Sequence, residues 1–424
     1  MSAADYALLR AGGMASPEER LAELRREVSR SERPRVSEYV NNHIHTCYSF
    51  SPYTPSSAVY AAWQAGLAAA GIMDHDSVAG AREFLSAGRI AGVGVTVGFE
   101  CRCSLAGTPF DGMRLNNPDQ LSVAYVACHG IPENRVDITD AWLAPRRAIR
   151  EKRNRAMVDR LNEHLNNALL RLSYDADVRS ISMVNEGGTV TERHILFALV
   201  RKLIGTYGRG VPLLYALAEN HGVAASSDVA RRLKNVSDPD YEYRLLGLLK
   251  TALVESFYIN AADECPSVAE FVEFANGIGA IPAYPYLGDV GESVTGDKKA
   301  QAHEDAFLSE LIPWIKSIGF TAISYMPTRN TLAQLERLTG LCESCGLLQI
   351  SGEDINTPFQ PFVCEELSLP QFRPLIDSAW ALIGHESLSS RGCGIFSKEI
   401  IARMPKLADR IAFFAGHGRA SAIS

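Results

Sequence analysis

The segments Asn42-His43-Ile44-His45-Thr46, Gly71-Ile72-Met73-Asp74-His75-Asp76 and Val97-Gly98-Phe99-Glu100 each close a short apolar run of the kind that forms a buried strand. Strand ends are where α/β enzymes place their chemistry. Histidines at i and i+2 on an extended segment project to the same side, because strand side chains alternate with period two, so both rings can reach one ion. Alone, His43-x-His45 reads more readily as two satisfied polar residues than as a ligand pair. Taken together, the strand ends carrying Asp74-His75-Asp76 and Gly98-x-Glu100 add nitrogen and oxygen donors to those rings, as a shared metal site requires.

Outward from this stretch, 424 residues leave room for several domains or for one large barrel with an insertion. With 46% hydrophobic and 21% charged residues the composition is that of an ordinary globular protein. The net charge of −7 argues against a general nucleic-acid coat protein without excluding a local basic groove, and nucleic acid is not an expected partner except as a short oligonucleotide. Met1 to Arg35 lacks the apolar core and small-residue cleavage site of a secretory signal, so the expected location is the cytoplasm. The run Ala58 to Met73 is broken by Gln64, Gly66 and Gly71 and is shorter than the roughly 18 residues a spanning helix needs. It reads as a buried helix leading into a strand, and no membrane partner is expected. Nine scattered cysteines read as reduced thiols, and the lone Cys342-x-x-Cys345 lacks the second pair of a structural zinc site. Cys101 and Cys103 read as small buried apolar residues beside Glu100.

Helical spacing over residues 17 to 28, acidic early and basic late, predicts an N-terminal helix on the outside of the main domain. From Tyr39 to Glu100 strands alternate with helices, with Ser56-Ser57 capping a helix from Ala58 and Asp76-Ser77 preceding one over 79–91. That alternation predicts a parallel sheet or barrel. A further strand, 121–128, ends at His129. From 141 to 262 almost only helical periodicity is present, including a helix over 145–172, and the alternation then resumes. The expected organisation is an N-terminal helical arm (1–36), the first part of a barrel (37–140), a helical insertion domain (141–262), the second part of the barrel (263–384) and a C-terminal helical extension (385–424). The apolar helical patterns at 372–383 and 398–414 are expected on the outer surface, and residues after His417 to fray.

The succession His43-x-His45-Thr46, Gly71-Ile72-x-Asp74-His75-Asp76, Gly98-x-Glu100, Ala283-Tyr284-Pro285-Tyr286 and Gly352-Glu353-Asp354-Ile355-Asn356 resembles the PHP family, named for polymerase and histidinol phosphatase, over residues 40 to 360. The helical insertion is similar to that of bacterial PHP phosphoesterases acting on nucleotides or short RNA. Their Arg-rich helix is followed by a Gly-x-x-Arg-x-His segment, which Gly187 to His194 approximates through Thr191-Glu192-Arg193-His194. The resemblance implies an α/β fold, a distorted (β/α)7 barrel of PHP type with an inserted all-helical domain, carrying up to three metals at its C-terminal strand ends and hydrolysing phosphate esters.

Carried over residue by residue, the first metal site of the family is filled by His43, His45, Glu100 and Asp354. The remaining sites depart from the pattern. Tyr284 stands where the family has the histidine of Ala-His-Pro, Asn356 where it has that of Asp-x-His, and Ser49-Phe50-Ser51 where an aspartate or histidine is expected. His75 survives from the third site, and the histidine beyond Glu100 corresponds to His129 or, by strand register, to Tyr125. The resemblance therefore implies one firm divalent transition metal (Zn, Mn or Fe) and at most one weak second ion.

Two imidazoles and two carboxylates suit such an ion, which polarises a phosphoryl oxygen and acidifies water. Beside Glu100, the candidate catalytic residues are His75 as a proton donor, His194 from the insertion, and Arg329, whose loop follows a late strand. Tyr284, Asn356 and Arg193 are candidate substrate contacts. The basic run Arg146 to Arg160 offers Arg153 or Arg155 as a phosphate grip, with a solvated helix face as the alternative, and Asp297-Lys298-Lys299 marks a charged late loop. The reading is a metal-dependent phosphoesterase or phosphatase acting on a small phosphorylated molecule, nucleotide-like or a sugar phosphate. Two alternatives stay open. One is a catalytically degenerate PHP protein that binds a phosphorylated ligand or partner without turnover; the other is a hydrolase or lyase for a non-phosphate substrate. The oligomeric state is not written in the sequence.

Overall fold

The computed structural model describes residues 16–32, 34–290 and 303–423. Seven strands form one sheet in chain order: β1 Val40–Ile44, β2 Ala69–His75, β3 Gly94–Ser104, β4 Val123–His129, β5 Ile281–Tyr286, β6 Ala322–Tyr325 and β7 Leu348–Ser351. The sheet curls until its edges nearly meet. Beyond β7, Ile355 accepts from the His45 amide at 2.9 Å and donates to the His43 carbonyl at 3.0 Å. Gly352 allows that approach, since a Cβ there would lie 2.6 Å from Cβ of His43.

The parallel expectation holds for β1–β3 and β5–β7 and fails at β4, which is antiparallel to both neighbours. The reason is local. Residues 105–122 contain no helix, so the chain folds straight back onto β3, whereas a parallel return needs a crossover.

Helices cover the outside of the barrel. α1 (Pro17–Arg30) opens with a reciprocal Ser16/Glu19 cap, and its Arg20 forms a buried bidentate pair with Glu83. α2 (Pro55–Gln64) starts earlier than Ser56-Ser57 suggested, because Thr54 caps it and Pro55 takes the first helical position, where a missing N–H costs nothing. α3 (Ala81–Ala91) follows β2.

The long α4 (Val136–Leu165) also begins before the expected start and carries Pro145 inside it rather than at its N-terminus. It ends at residue 165, and 166–172 form no helix. Together with α5 (Glu192–Tyr207), α6 (Val211–His221), α7 (Ser227–Leu233) and α8 (Tyr241–Phe257), it builds a block with its own apolar core, including Met157, Leu161, Leu199, Leu245 and Phe257. Phe50, held at φ 83° in the loop after β1, inserts into that core. α9 (Val268–Gly277), α10 (Leu308–Ser317) and α11 (Leu332–Cys345) then resume the barrel wall.

The C-terminal expectation is corrected. α12 (Pro374–Ser389), α13 (Lys398–Arg403) and α14 (Leu407–Ile423) replace the two patterns, Pro405 lying in the break between the last two. Residues after His417 stay helical to Ile423. The helices also do more than cover a surface. Ala381, Leu382, Phe414 and Ala415 join Met73, Ala127, Ile281, Ala283, Ala322 and Ile350 in one buried cluster, closing the N-terminal end of the barrel. No helix of the described residues is long and apolar enough to cross a membrane. All nine cysteines are free thiols.

Candidate metal centre

With its N-terminal end plugged, the barrel opens at the ends of β1–β3 and β7. His43 and His45 both point inward there, with ring centroids 5.1 Å apart. Glu100 faces them from β3 and is paired in register with His75 on β2. Its Oε1 lies 3.0 Å from His75 Nδ1 and 3.4 Å from His45 Nε2, and its Oε2 lies 3.6 Å from His43 Nε2. Asp354, just past β7, brings Oδ1 to 3.2 Å from His45 Nε2. Ligand atoms of His43, His45 and Glu100 all fall within 4.8 Å of one another, close enough to share an ion.

Burial pushes the Glu100 carboxyl up, but His75 and His43 outweigh it and hold it well below the usual carboxylate range. Asp354 is likewise lowered, burial being overcome by the imidazoles of His45 and His43. Burial drives His43 down, yet the Glu100 charge carries it above its ordinary value. In His75 burial wins and the value falls.

The proton on His45 can be placed by counting donors. Asp74, on β2, accepts from the Thr46 amide (2.7 Å), the Thr46 hydroxyl (2.6 Å) and the Ser49 hydroxyl (2.5 Å). Ser49 has one proton and gives it to Asp74, so its oxygen accepts from Nδ1–H of His45 at 3.2 Å. In the neutral ring this leaves the Nε2 lone pair turned toward two carboxylates. Nε2 is buried and makes no hydrogen bond. A lone pair facing anionic oxygens is repulsive unless a proton or a metal cation stands between them. The donor set thus fits a divalent metal, with Ser49 and Asp74 fixing the ligand tautomer from behind.

The centre lies in the wall of a cavity of about 630 Å³ that His75, His129, Arg193, Arg329 and Asn356 also line. His129 is buried, with Nε2 unpartnered, and burial lowers its value to about 3. Arg329 is buried and donates from Nε to the Leu287 carbonyl at 2.9 Å. Arg193 reaches in from the first turn of α5 to Asn356.

Two sequence candidates lie elsewhere. Tyr284 does not line the cavity; it faces the helical layer, and its hydroxyl donates to Glu304 at 2.5 Å. The inward side of β5 belongs to Ala283. His194 is buried against Phe50, with Nδ1 accepting from the Thr191 amide at 3.0 Å, and burial lowers its value to about 3. Consecutive helical residues point about 100° apart, so the turn that aims Arg193 at the cavity aims His194 into the core.

The proposed phosphate grips Arg153 and Arg155 are engaged by Glu264 and Asp175 in two-pronged pairs, and neither lines the cavity. Asp297-Lys298-Lys299 lies outside the described residues.

The sequence reading missed Arg114 in the β3–β4 loop and Lys250 on α8, both of which line the cavity. Nε of Arg114 is buried without a hydrogen-bond partner. Tyr258 gives the same cavity an aromatic wall. No motif marks these residues, because they reach the cavity only through the packing of remote segments.

No protein-family model matches the chain, and no curated protein matches it in sequence. Solved structures do. A protein from Bifidobacterium adolescentis, described provisionally as a metal-dependent phosphoesterase, superposes with a TM-score of 0.51 at 21% identity, over 80% of this chain and 96% of its own. An amidohydrolase from Chromobacterium violaceum, with sulfate bound and no metal, superposes with a TM-score of 0.51 at 16% identity, over 77% and 90%. At these identities the likeness is one of fold: an α/β barrel with added helices.

Proposed function

We propose that the protein is a PHP-type phosphoesterase that hydrolyses a small phosphorylated molecule with one divalent metal held by His43, His45, Glu100 and Asp354. The observation that carries this reading is the buried, unpartnered Nε2 of His45 turned toward two carboxylates. The two structural neighbours, one described as a phosphoesterase and the other as an amidohydrolase, support the hydrolytic class. Bound there, a Zn, Mn or Fe ion supplies Lewis-acid polarisation of a phosphoryl oxygen and acidifies water.

The chain's own residues do the rest. Arg329, Arg193, Arg114 and Lys250 line the cavity and offer positive charge to the anion. His75, with Nδ1 tied to Glu100, keeps Nε2 for moving a proton between water, substrate and leaving group. The unpartnered Nε2 of His129 offers a deeper ligand for a weaker second ion. A nucleotide or sugar phosphate suits a cavity of about 630 Å³ walled in part by Tyr125 and Tyr258.

A second reading has its own observation. Tyr284 is engaged by Glu304 and Asn356 by Arg193 and Asp354, so neither supplies a ligand for additional ions, and a chain so reduced can bind a phosphorylated ligand without turning it over.

Metal content measured on protein purified without chelator, together with turnover on a panel of phosphomonoesters, separates the two. The phosphoesterase reading expects about one transition metal per chain and hydrolysis, both abolished by Glu100→Gln. Metal-free protein that is stabilised by phosphate but hydrolyses nothing would establish the binding reading instead.

A further inference from the structure

A continuous hydrogen-bond chain ties the helical block to the metal centre. Nη1 of Arg193 donates to Oδ1 of Asn356 at 2.6 Å. Nδ2 of the same amide donates to Oδ1 of Asp354 at 2.7 Å, and that oxygen stands 3.2 Å from His45 Nε2. A guanidinium only donates and a carboxylate only accepts, so the amide fits one way round. Its backbone is pinned as well. The amides of Asn356 and Thr357 both donate to Gln360 Oε1 at 2.8 Å, and Gln360 Nε2 donates back to the Asp354 carbonyl. Asn356 is buried, so its bonds are not readily exchanged for water.

Asn356 and Asp354 sit at the end of a barrel strand, while Arg193 sits on the first turn of a helix in the inserted block, 163 residues away in sequence from Asn356. That block also contributes Glu192, Lys250, Val254 and Tyr258 to the cavity wall. Any tilt of the block that withdraws Arg193 removes the acceptor-side partner of the amide and frees it to rotate. The Asp354 carboxylate then loses the donor that fixes it. An asparagine is suited to this place because it accepts at one end and donates at the other; an aspartate would hold Arg193 but repel Asp354.

We propose that Arg193 and Asn356 are positioning residues that couple the seating of the helical block to occupancy of the metal centre. Metal affinity is highest with the block seated over the cavity, and by linkage the bound metal holds the block in place. This rests on the metal reading of the preceding subsection. Residues that orient a metal ligand from behind typically contribute about 10–100-fold to metal affinity.

The test uses the full chain, stripped with chelator and titrated with Mn²⁺, with amide hydrogen exchange followed over residues 189–196. Asn356→Ala and Arg193→Ala are each expected to weaken Mn²⁺ by about 10–100-fold. The double variant should be no weaker than the worse single one, because the two residues act as one chain. Asn356→Leu, which keeps the volume and removes both bonds without adding charge, should lose affinity as the alanine does, and Arg193→Lys should recover part of what Arg193→Ala loses. Mn²⁺ should slow exchange over 189–196 in the wild type and not in Asn356→Leu, a response that loss of packing alone would not produce. Wild-type protein that binds no Mn²⁺ would overturn the metal reading itself. Wild-type protein that binds Mn²⁺ while Asn356→Leu and Arg193→Ala match it in affinity and exchange response, or losses that simply add in the double variant, would overturn the coupling alone.

Discussion

Ser49→Ala probes the proton placement on which the metal reading stands. Ser49 is buried and lies between Asp74 and His45, donating to the first at 2.5 Å and accepting from the second at 3.2 Å. Alanine removes both bonds and leaves Nδ1–H of His45 with no acceptor in a buried place. Asp74 keeps its two bonds from Thr46, so the loop after β1 retains its anchor and the defect should be local. With Nδ1 unsatisfied, the ring can exchange tautomers and place its proton on Nε2, the nitrogen that must carry a lone pair to bind metal. A weakening of metal binding by about 10–100-fold follows, or about 1.4–2.7 kcal/mol. The assay is a competition titration against a chelator of known affinity, with nitrogen chemical shifts of the histidine ring in metal-free protein as the direct readout of the tautomer. Wild-type spectra should show Nδ1 protonated and the variant a mixture. Affinity unchanged in Ser49→Ala, or a wild-type ring protonated on Nε2 alone, would refute the reasoning.

Two further predictions concern the barrel floor. Glu386 on α12 accepts from the Val97 amide at 2.7 Å and from the Thr96 hydroxyl, and burial pushes its carboxyl up to about 8. A raised acid binds its proton in the folded state while the unfolded chain has released it, so the stability present below about pH 4.5 drains away as pH rises toward 8, at about 1.4 kcal/mol per pH unit. Thermal melts of Glu386→Gln minus wild type, in which other titrating groups cancel, should therefore show a growing advantage for the variant from pH 5 to 8; a flat difference would count against a neutral buried carboxyl. Gly384→Ala should lower the melting temperature, since its Cβ would lie 2.0 Å from the Phe414 carbonyl oxygen and overpacking of this kind costs about 1–3 kcal/mol. Metal stoichiometry should stay that of the wild type, because the contact is at the end of the barrel away from the ligands, and a variant melting like wild type would show that the two helices can slide apart.

What the sequence disclosed and what it hid follow one physical division. His43, His45, His75 and Glu100 were readable because each closes an apolar run, and the geometry of a strand end is local information. Tyr284 was misplaced because every residue of β5 is buried, so the strand shows no apolar and polar alternation from which to tell its inward side. Its hydroxyl went to the helical layer, where Glu304 accepts it. His194 failed for a related reason. A residue one step along a helix from Arg193 belongs to a different face, and only the docked block decides which face meets the cavity. Arg114 and Lys250 carried no signal at all, being single basic residues in a loop and on a helix.

The departures from the PHP pattern acquire a different meaning once the contacts are seen. Ser49 and Asn356 stand where the resemblance implies metal-binding side chains, yet neither is a bystander. Ser49 now faces the back of His45, and Asn356 the oxygen of Asp354. Under the proposed function, these two positions supply hydrogen-bonding groups behind the ligands of one ion rather than ligands for further ions. Side chains that merely filled space would not be expected to orient both the ring and the carboxylate that converge on His45 Nε2, the arrangement a centre needs if a single ion is to be held without the help of neighbours.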